Sequence, residues 1–379
     1  MPKNQKIITA LLILWTLGFR LWLVFEATPQ IGNSPDSKDY FSLAYSIAHG
    51  EYIQRDGKRA FRTPGFPLYL TAIHSVTGWQ DTGRKTVLIL NVVLETATAL
   101  LIVLISGNLG FTRPWIALIL WSFCIMFTPL YLTESLFTCL FALGLWLGLR
   151  KKTPEILRGL VVAVAVMVRP IGIVLLAAGK FPRKPLPILL LLLPTILFVS
   201  GWMARNYAAV GAPVFSTNLG YHNALMLSEA EKQTCAGLSE IDQDKCLTKI
   251  ERGKLLSNPT LYLKRIFELF KGVTAWEVAI IGWRPGRTFE QGARLRTYRL
   301  ATQPQFYWLV WLLAVIGIVR YARRLLPLLI VAGIYIALHA VVSGGSLRFV
   351  YPLIPVAAIL ANAAFTRKST IATTDPPVE

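Results

Sequence analysis

Two aspartates in one short polar stretch are the residues of this 379-residue sequence best suited to acid–base chemistry. The stretch, residues 34–40, reads SPDSKDY and follows the first long apolar run. An ionised Asp36 or Asp39 could act as a general base and take a proton from a hydroxyl group. Asp36 could instead cap a helix that places Tyr40 and Leu43 on one face. The spacing alone is compatible with both roles.

A third acid, Glu134, lies between two apolar runs, directly after Thr133. A carboxylate at membrane depth is costly unless it faces protein or water. Glu134 could therefore cap the following helix, hold a substrate hydroxyl, or orient a neighbouring arginine. We treat it as a candidate catalytic residue beside Asp36 and Asp39.

Arginines at the edges of apolar runs or in polar loops form a candidate anion site. A guanidinium group can bind two oxygens of a phosphate at once. Each arginine alone could also be an ordinary residue whose charged end reaches the membrane surface. The four candidates are Arg62, Arg169, Arg205 and Arg348.

The composition predicts an all-α polytopic membrane protein, since 54% of the residues are apolar and 16% are charged. A membrane span needs roughly 20 mainly apolar residues. Nine stretches approach that length: 7–25, 86–105, 115–131, 133–149, 157–178, 186–204, 306–319, 325–342 and 349–365.

The distribution of charge predicts about ten transmembrane helices with both ends in the cytoplasm. Short connections and tails carry 15 basic residues and three acids, and basic loops stay on the cytoplasmic side. This topology requires that residues 157–178 cross twice, with Arg169 and Pro170 at an outer tip. The alternative is a single span kinked by Pro170.

Two polar regions then lie outside the cytoplasm. Residues 1–205 would form an N-terminal transmembrane module with a catalytic outer loop at 28–85, which includes an amphipathic piece. Residues 206–305 would form an outer loop or small domain, 306–366 the C-terminal helices, and 367–379 a disordered cytoplasmic tail.

Cys235 and Cys246 lie in the second outer region, where an oxidising compartment would allow a disulfide, although two free thiols are the alternative. Asn91, Glu95 and Thr98 share one face of a predicted span and form a polar seam, either structural or functional. The basic residues sit at membrane edges, which argues against a nucleic-acid partner.

Several short motifs, in this order, resemble those of the C superfamily of membrane glycosyltransferases (GT-C). The resemblance is to the branch of the protein O-mannosyltransferases and aminoarabinose transferases. It covers most of the chain. The motifs are DSKDYFSLAYSIAHG at 36–50, RTPGFP at 62–67, TES at 133–135, RP at 169–170, WMARNY at 202–207, GAPV at 211–214 and RFVYP at 348–352.

The resemblance implies that Asp36 is the catalytic base and that Tyr40 and the four candidate arginines contact the substrate or its lipid phosphate. The sequence departs from some branches, because Ser37 follows Asp36 where those branches have Glu. The loop also has no Asp-x-Asp motif, which weakens the case for a divalent metal. No cofactor is expected, and a divalent metal stays open.

The expected activity is inverting transfer of a hexose or pentose from a polyprenyl-phosphate donor to an acceptor hydroxyl. The acceptor could be a lipid, a glycan or a protein, and the expected location is a bacterial inner membrane with the site facing the periplasm. The alternative is a transporter or lipid flippase, in which Glu95 and the broken stretch 157–178 line a path. A scaffold subunit without activity is a third interpretation.

Overall fold

The computed structural model describes most of the chain. Within these parts, all regular secondary structure is helical. The predicted site residue Arg348 and the predicted tail 367–379 lie outside the described residues. The described residues are 3–26, 35–111, 113–122, 128, 130–150, 152–223, 227–258, 260, 261, 263, 304–342 and 350–366.

The helices follow the apolar runs and the two polar regions. Two 3-10 helices, Pro170–Ala177 and Tyr351–Leu353, interrupt the order. The α-helices are α1 Lys3–Glu26, α2 Pro35–Ala48, α3 Gly65–Thr77, α4 Asp81–Asn108, α5 Pro114–Ser122, α6 Glu134–Leu149, α7 Glu155–Val168, α8 Pro185–Val210, α9 Leu219–Asn223, α10 Glu229–Gln233, α11 Glu240–Ser257, α12 Pro304–Val342 and α13 Ile354–Ala363.

Four helices of the described parts are long and apolar enough to cross a membrane, namely segments of α1, α4, α8 and α12. Helix α6 and the stretch Tyr351–Ala363 are apolar but shorter. The backbone of α12 leaves helical geometry at Tyr321, between the predicted spans 306–319 and 325–342. The membrane character of the chain is confirmed, while the count of about ten spans stays a prediction.

The broken apolar stretch forms a hairpin. Helix α7 ends at Val168, and the 3-10 helix that starts at Pro170 runs back along it. At the open end, Arg158 Nη2 donates to the carbonyl of Ala178 at 2.8 Å and Nη1 donates to the carbonyl of Lys180 at 3.3 Å. The chain therefore reverses at Arg169, as the two-pass topology requires, because Pro170 lacks the N–H that would continue α7.

The predicted polar seam lies inside the helical core. Asn91, Glu95 and Thr98 are all fully buried. Arg20 of α1 donates from Nε to Glu95 Oε2 at 2.6 Å, and neither side chain is exposed. Hydroxyl groups of Thr128 and Ser135 also donate to this carboxylate, at 2.5 and 2.7 Å. The pair thus joins α1, α4 and α6 within the bundle.

Candidate functional site

The two aspartates of the polar stretch lie on one side of the start of α2. Helix α2 begins at Pro35, so Asp36 lies within the first turn and not at the cap position. There a carboxylate interacts favourably with the positive end of the helix dipole. Asp39 follows three positions later and shares the face of Asp36.

Arg62 bridges the two aspartates. Its Nη2 atom donates to Asp36 Oδ1 at 2.5 Å and to Asp39 Oδ2 at 3.3 Å. The side chain of Arg62 is 9% exposed, whereas those of Asp36 and Asp39 are 28% and 34% exposed. The carboxylates are therefore accessible to a substrate while the guanidinium behind them is held in place.

Aromatic rings fix the position of Arg62. The guanidinium carbon lies 4.9 Å from the ring centre of Tyr40 and 5.1 Å from that of Phe61. Burial alone would lower the pKa of Arg62, but Tyr40, Asp36 and Asp39 outweigh it and raise that pKa above its ordinary value. Tyr40 itself is nearly buried and packs edge-on against Phe66 at 4.9 Å. Tyr40 is therefore part of the packing that holds Arg62 in place.

A second arginine–acid pair lies at the tip of the hairpin. Arg169 donates from Nη2 to Glu134 Oε1 at 2.5 Å and from Nε to the hydroxyl of Thr133 at 2.7 Å. Glu134 is the first residue of α6 and is fully buried, while the side chain of Arg169 is 11% exposed. Of the roles considered for Glu134, orienting a neighbouring arginine is the one that this geometry supports.

The loop that carries Arg62 rests on the hairpin tip. The hydroxyl of Thr63 donates to the carbonyl of Val168 at 3.1 Å. Gly65 allows the close approach, because a Cβ atom there would lie 2.6 Å from the carbonyl carbon of Met167. The loop that carries Arg62 and the hairpin tip that carries Arg169 are therefore packed against each other.

Arg205 reaches the same loop from the end of α8. Its Nη2 atom donates to the carbonyl of Tyr52 at 3.2 Å, and Nη1 donates to the carbonyl of Arg59. The guanidinium also stacks on Tyr52 and Trp202, at 4.6 and 5.1 Å from the ring centres. A further bond runs from Nη1 to the side-chain oxygen of Asn206 at 3.0 Å. The two bonds to backbone carbonyl groups tie Arg205 to the loop.

The second polar region contributes a small helical unit. A disulfide joins Cys235 and Cys246, whose Cα atoms are 5.8 Å apart. Leu227 and Leu247 are buried beside it. In the described part of the chain, no group of three or more His, Cys, Asp or Glu residues could hold a metal ion.

Two charged residues that matter for this arrangement were not among the sequence candidates. Arg20 is a lone charge within the first apolar run, and an ionisable residue inside a span is a signal of an internal partner. Glu240 accepts hydrogen bonds from the backbone of Arg59 and Ala60, at 2.7 and 2.9 Å. Nothing in the local pattern around Glu240 indicates that distant contact.

No family model matches the sequence, and no curated protein sequence matches it significantly. Two solved structures share its fold. One is the archaeal oligosaccharyltransferase AglB from Archaeoglobus fulgidus in complex with an inhibitory peptide and a dolichol-phosphate, with 11% identity over 96% of this chain and 50% of that chain and a TM-score of 0.51.

The other is the oligosaccharyltransferase of Archaeoglobus fulgidus tethered to an acceptor peptide containing the NVT sequon. Its identity is 12% over 96% of this chain and 49% of that chain, with a TM-score of 0.51. The chain thus spans about half the length of each of these structures. At this identity the comparison shows that the chain shares the fold of these structures and nothing more.

Proposed function

We propose that this chain is an integral-membrane glycosyltransferase that moves a sugar from a polyprenyl-phosphate-linked donor to an acceptor hydroxyl at the extracytoplasmic face. The observation that carries the proposal is the cluster of Asp36, Asp39 and Arg62. It combines partly exposed carboxylates with a fixed guanidinium group. A GT-C fold is the appropriate setting, since its structural neighbour is an oligosaccharyltransferase in complex with a dolichol-phosphate.

The mechanism uses Asp36 as the general base. Asp36 takes the proton from the acceptor hydroxyl as that oxygen forms a bond to the anomeric carbon of the sugar. The bond from the anomeric carbon to the phosphate oxygen breaks at the same time, and the phosphate keeps the electron pair. Attack from the opposite face inverts the configuration at the anomeric carbon.

The leaving lipid phosphate gains negative charge, which arginine side chains stabilise. Arg62 and Arg169 have this role, with Arg348 as the further candidate from the sequence. Glu134 orients Arg169 through its 2.5 Å contact, and Asp39 shares the guanidinium of Arg62 with Asp36. Arg205 supports the loop that positions Arg62.

The contacts of Glu95 favour an enzyme over a transporter. A residue that lines a translocation path must be reachable from water. Glu95 is instead fully buried, and its carboxylate accepts from Arg20, Thr128 and Ser135. The stretch 157–178 is likewise packed as a hairpin.

The test is transfer of radiolabelled sugar from a pool of polyprenyl-phosphate donors to a membrane extract, with purified wild type and Asp36→Asn. General-base catalysis contributes on the order of 100- to 10,000-fold, so we expect Asp36→Asn to lose transfer by a factor in that range. Asp56→Asn is the matched control, because Asp56 lies in the loop that follows α2 and pairs with Lys58 at 2.7 Å instead of Arg62. Equal transfer by wild type and Asp36→Asn would refute the assignment of the base.

A further inference from the structure

The loop that carries Arg62 depends on contacts from outside itself. Between α2 and α3 it has no regular secondary structure, and one turn is closed by the N–H of Gln54, which donates to the carbonyl of Lys58 at 2.9 Å. Gly57 sits in that turn with φ +82°. A loop with so few internal bonds needs partners elsewhere for its backbone groups.

All four backbone polar groups of Arg59 and Ala60 bond to residues more than 140 positions later. The two N–H groups donate to the carboxylate of Glu240, at 2.7 and 2.9 Å. The carbonyl of Arg59 accepts from Arg205, and the carbonyl of Ala60 accepts from the N–H of Thr217 at 3.0 Å. The hydroxyl of Thr217 donates to Glu240 as well.

Among the residues that bond to the backbone of Arg59 and Ala60, Glu240 is the one with a negative charge. A carboxylate that accepts two N–H bonds forms charge-assisted hydrogen bonds, which are roughly twice as strong as neutral ones. The bonded amides lie two and three residues before Arg62. Tyr52 adds a link within the loop, because its hydroxyl donates to the carbonyl of Arg62 at 3.0 Å.

The position of Glu240 is itself constrained. It is the first residue of α11, and the preceding Ser239 caps that helix by accepting from the N–H of Asp242 at 3.2 Å. Glu240 also lies between Cys235 and Cys246 in sequence, so the disulfide closes a short loop around it. The helix cap and the disulfide therefore restrict the position of Glu240.

We propose that Glu240 is a positioning residue for the transfer reaction and that it acts through Arg62. This role rests on the proposed function. Glu240 holds the backbone of Arg59 and Ala60 so that the guanidinium of Arg62 meets Asp36 and the leaving phosphate. The disulfide supports the same arrangement by fixing the start of α11.

The variants are Glu240→Ala, which removes all three hydrogen bonds to the carboxylate, and Glu240→Gln, which turns one acceptor oxygen into a donor that faces an N–H. Glu229→Ala is the matched control, since Glu229 belongs to the same unit but pairs with Lys232 at 2.7 Å and is 91% exposed. Misplacement of a catalytic group by about 1 Å costs on the order of 100-fold. We expect kcat for sugar transfer to fall roughly 10- to 100-fold in Glu240→Ala, less in Glu240→Gln, and not in Glu229→Ala.

Two further readouts separate positioning from a general loss of structure. Amide hydrogen exchange across residues 51–64 should rise in Glu240→Ala, while exchange in α4 and α6 stays as in the wild type. In an Arg62→Lys background, Glu240→Ala should lower kcat by a much smaller factor, because residues that act through one another are not additive. The KM for the donor should change less than kcat in the single variant.

Wild-type kcat in Glu240→Ala, or an equal loss of kcat with and without Arg62→Lys, would overturn the inference. Unchanged exchange across residues 51–64 would overturn it independently of any activity. Failure of the proposed function would look different, since the wild type itself would then transfer no sugar. If the wild type is active and the Glu240 variants transfer sugar equally well, only the positioning role of Glu240 is contradicted.

Discussion

Two arginine–carboxylate pairs of nearly equal length occupy opposite environments in this protein. Arg20 and Glu95 are 2.6 Å apart, and both side chains are fully buried. Arg62 and Asp36 are 2.5 Å apart, with 9% and 28% of their side chains exposed. The distance between the charges therefore does not distinguish the buried pair from the pair that we propose to be catalytic, whereas access to the carboxylate does.

The surroundings of the two carboxylates give them different uses. Besides Arg20, the hydroxyl groups of Thr128 and Ser135 donate to Glu95. An incoming hydroxyl group therefore has no route to this carboxylate. Asp36 lies in the first turn of a helix beside a polar loop, where a substrate can approach. Glu134 and Arg169 are intermediate, since the acid is buried and the arginine is 11% exposed.

The energetic consequences should also differ. Removing one partner of a buried pair leaves an uncompensated charge away from water, whereas a partly exposed pair contributes little to stability. Substitutions in the bundle should thus change the free energy of unfolding, and substitutions in the cluster of Asp36, Asp39 and Arg62 should change the rate of transfer.

The largest effect on stability is expected for Arg20→Met, which strands the charge of Glu95. We expect a loss of about 3–5 kcal/mol in the free energy of unfolding, measured by denaturant unfolding in detergent. The double variant Arg20→Met with Glu95→Met should recover most of this loss, because it removes the second charge too. A double variant as unstable as the single one would contradict the comparison.

Arg62→Lys should mainly affect activity. Lysine offers a compact point charge without the planar group that reaches both Asp36 and Asp39. We expect a roughly 10- to 100-fold loss of kcat/KM for sugar transfer with little change in unfolding temperature. Arg84→Lys is the control, because Arg84 pairs at 3.5 Å with an Asp81 that is 83% exposed. An equal loss in both variants would mean that Arg62 has no special role.

Glu134→Gln should lower both the stability and the rate of sugar transfer, each by less than the two preceding variants do. It keeps the shape of the side chain but weakens the bond to Arg169, and hydrogen bonds to charged groups contribute about 1.5–3 kcal/mol. We expect a loss of stability in this range and a modest fall in kcat. Thermal unfolding and transfer assays on the same preparation would check this, and a change in neither would remove Glu134 from the site.

Asp56→Asn should have the smallest effect of the series. Its partner Lys58 is on the surface, and pairs of this kind contribute about 0–1 kcal/mol. Both the unfolding temperature and the rate of transfer should stay near their wild-type values. The side chain of Asp56 is 52% exposed and pairs with Lys58 instead of Arg62, so a large loss of transfer would show that the neighbouring guanidinium is not what separates Asp36 from Asp56.

Local sequence patterns predicted that the apolar runs are helical, and one of the two interpretations of residues 157–178 placed a reversal at Arg169 and Pro170. The apolar runs indicated the helical membrane character, and Pro170 marked the end of α7 because it has no N–H to donate within the helix. The face shared by Asn91, Glu95 and Thr98 followed from helical periodicity. These features depend on residues close together in the chain.

The pairings themselves could not be predicted, because they join distant segments. Arg20 and Glu95 are 75 positions apart, and Arg59 and Glu240 are 181 apart. The role of Arg205 illustrates the same difficulty. Its position at the end of α8 suggested a phosphate contact, which stays a prediction. Nothing in the sequence indicated that its guanidinium bonds to the carbonyl groups of Tyr52 and Arg59.

The most direct test of the account measures Asp36→Asn and Glu95→Gln side by side, each for sugar transfer and for unfolding temperature. The account predicts that Asp36→Asn unfolds like the wild type but loses transfer, and that Glu95→Gln unfolds at a lower temperature. The fraction of Glu95→Gln that stays folded should retain transfer. Loss of transfer in folded Glu95→Gln together with normal transfer in Asp36→Asn would contradict the account, because the buried carboxylate would then be the catalytic one.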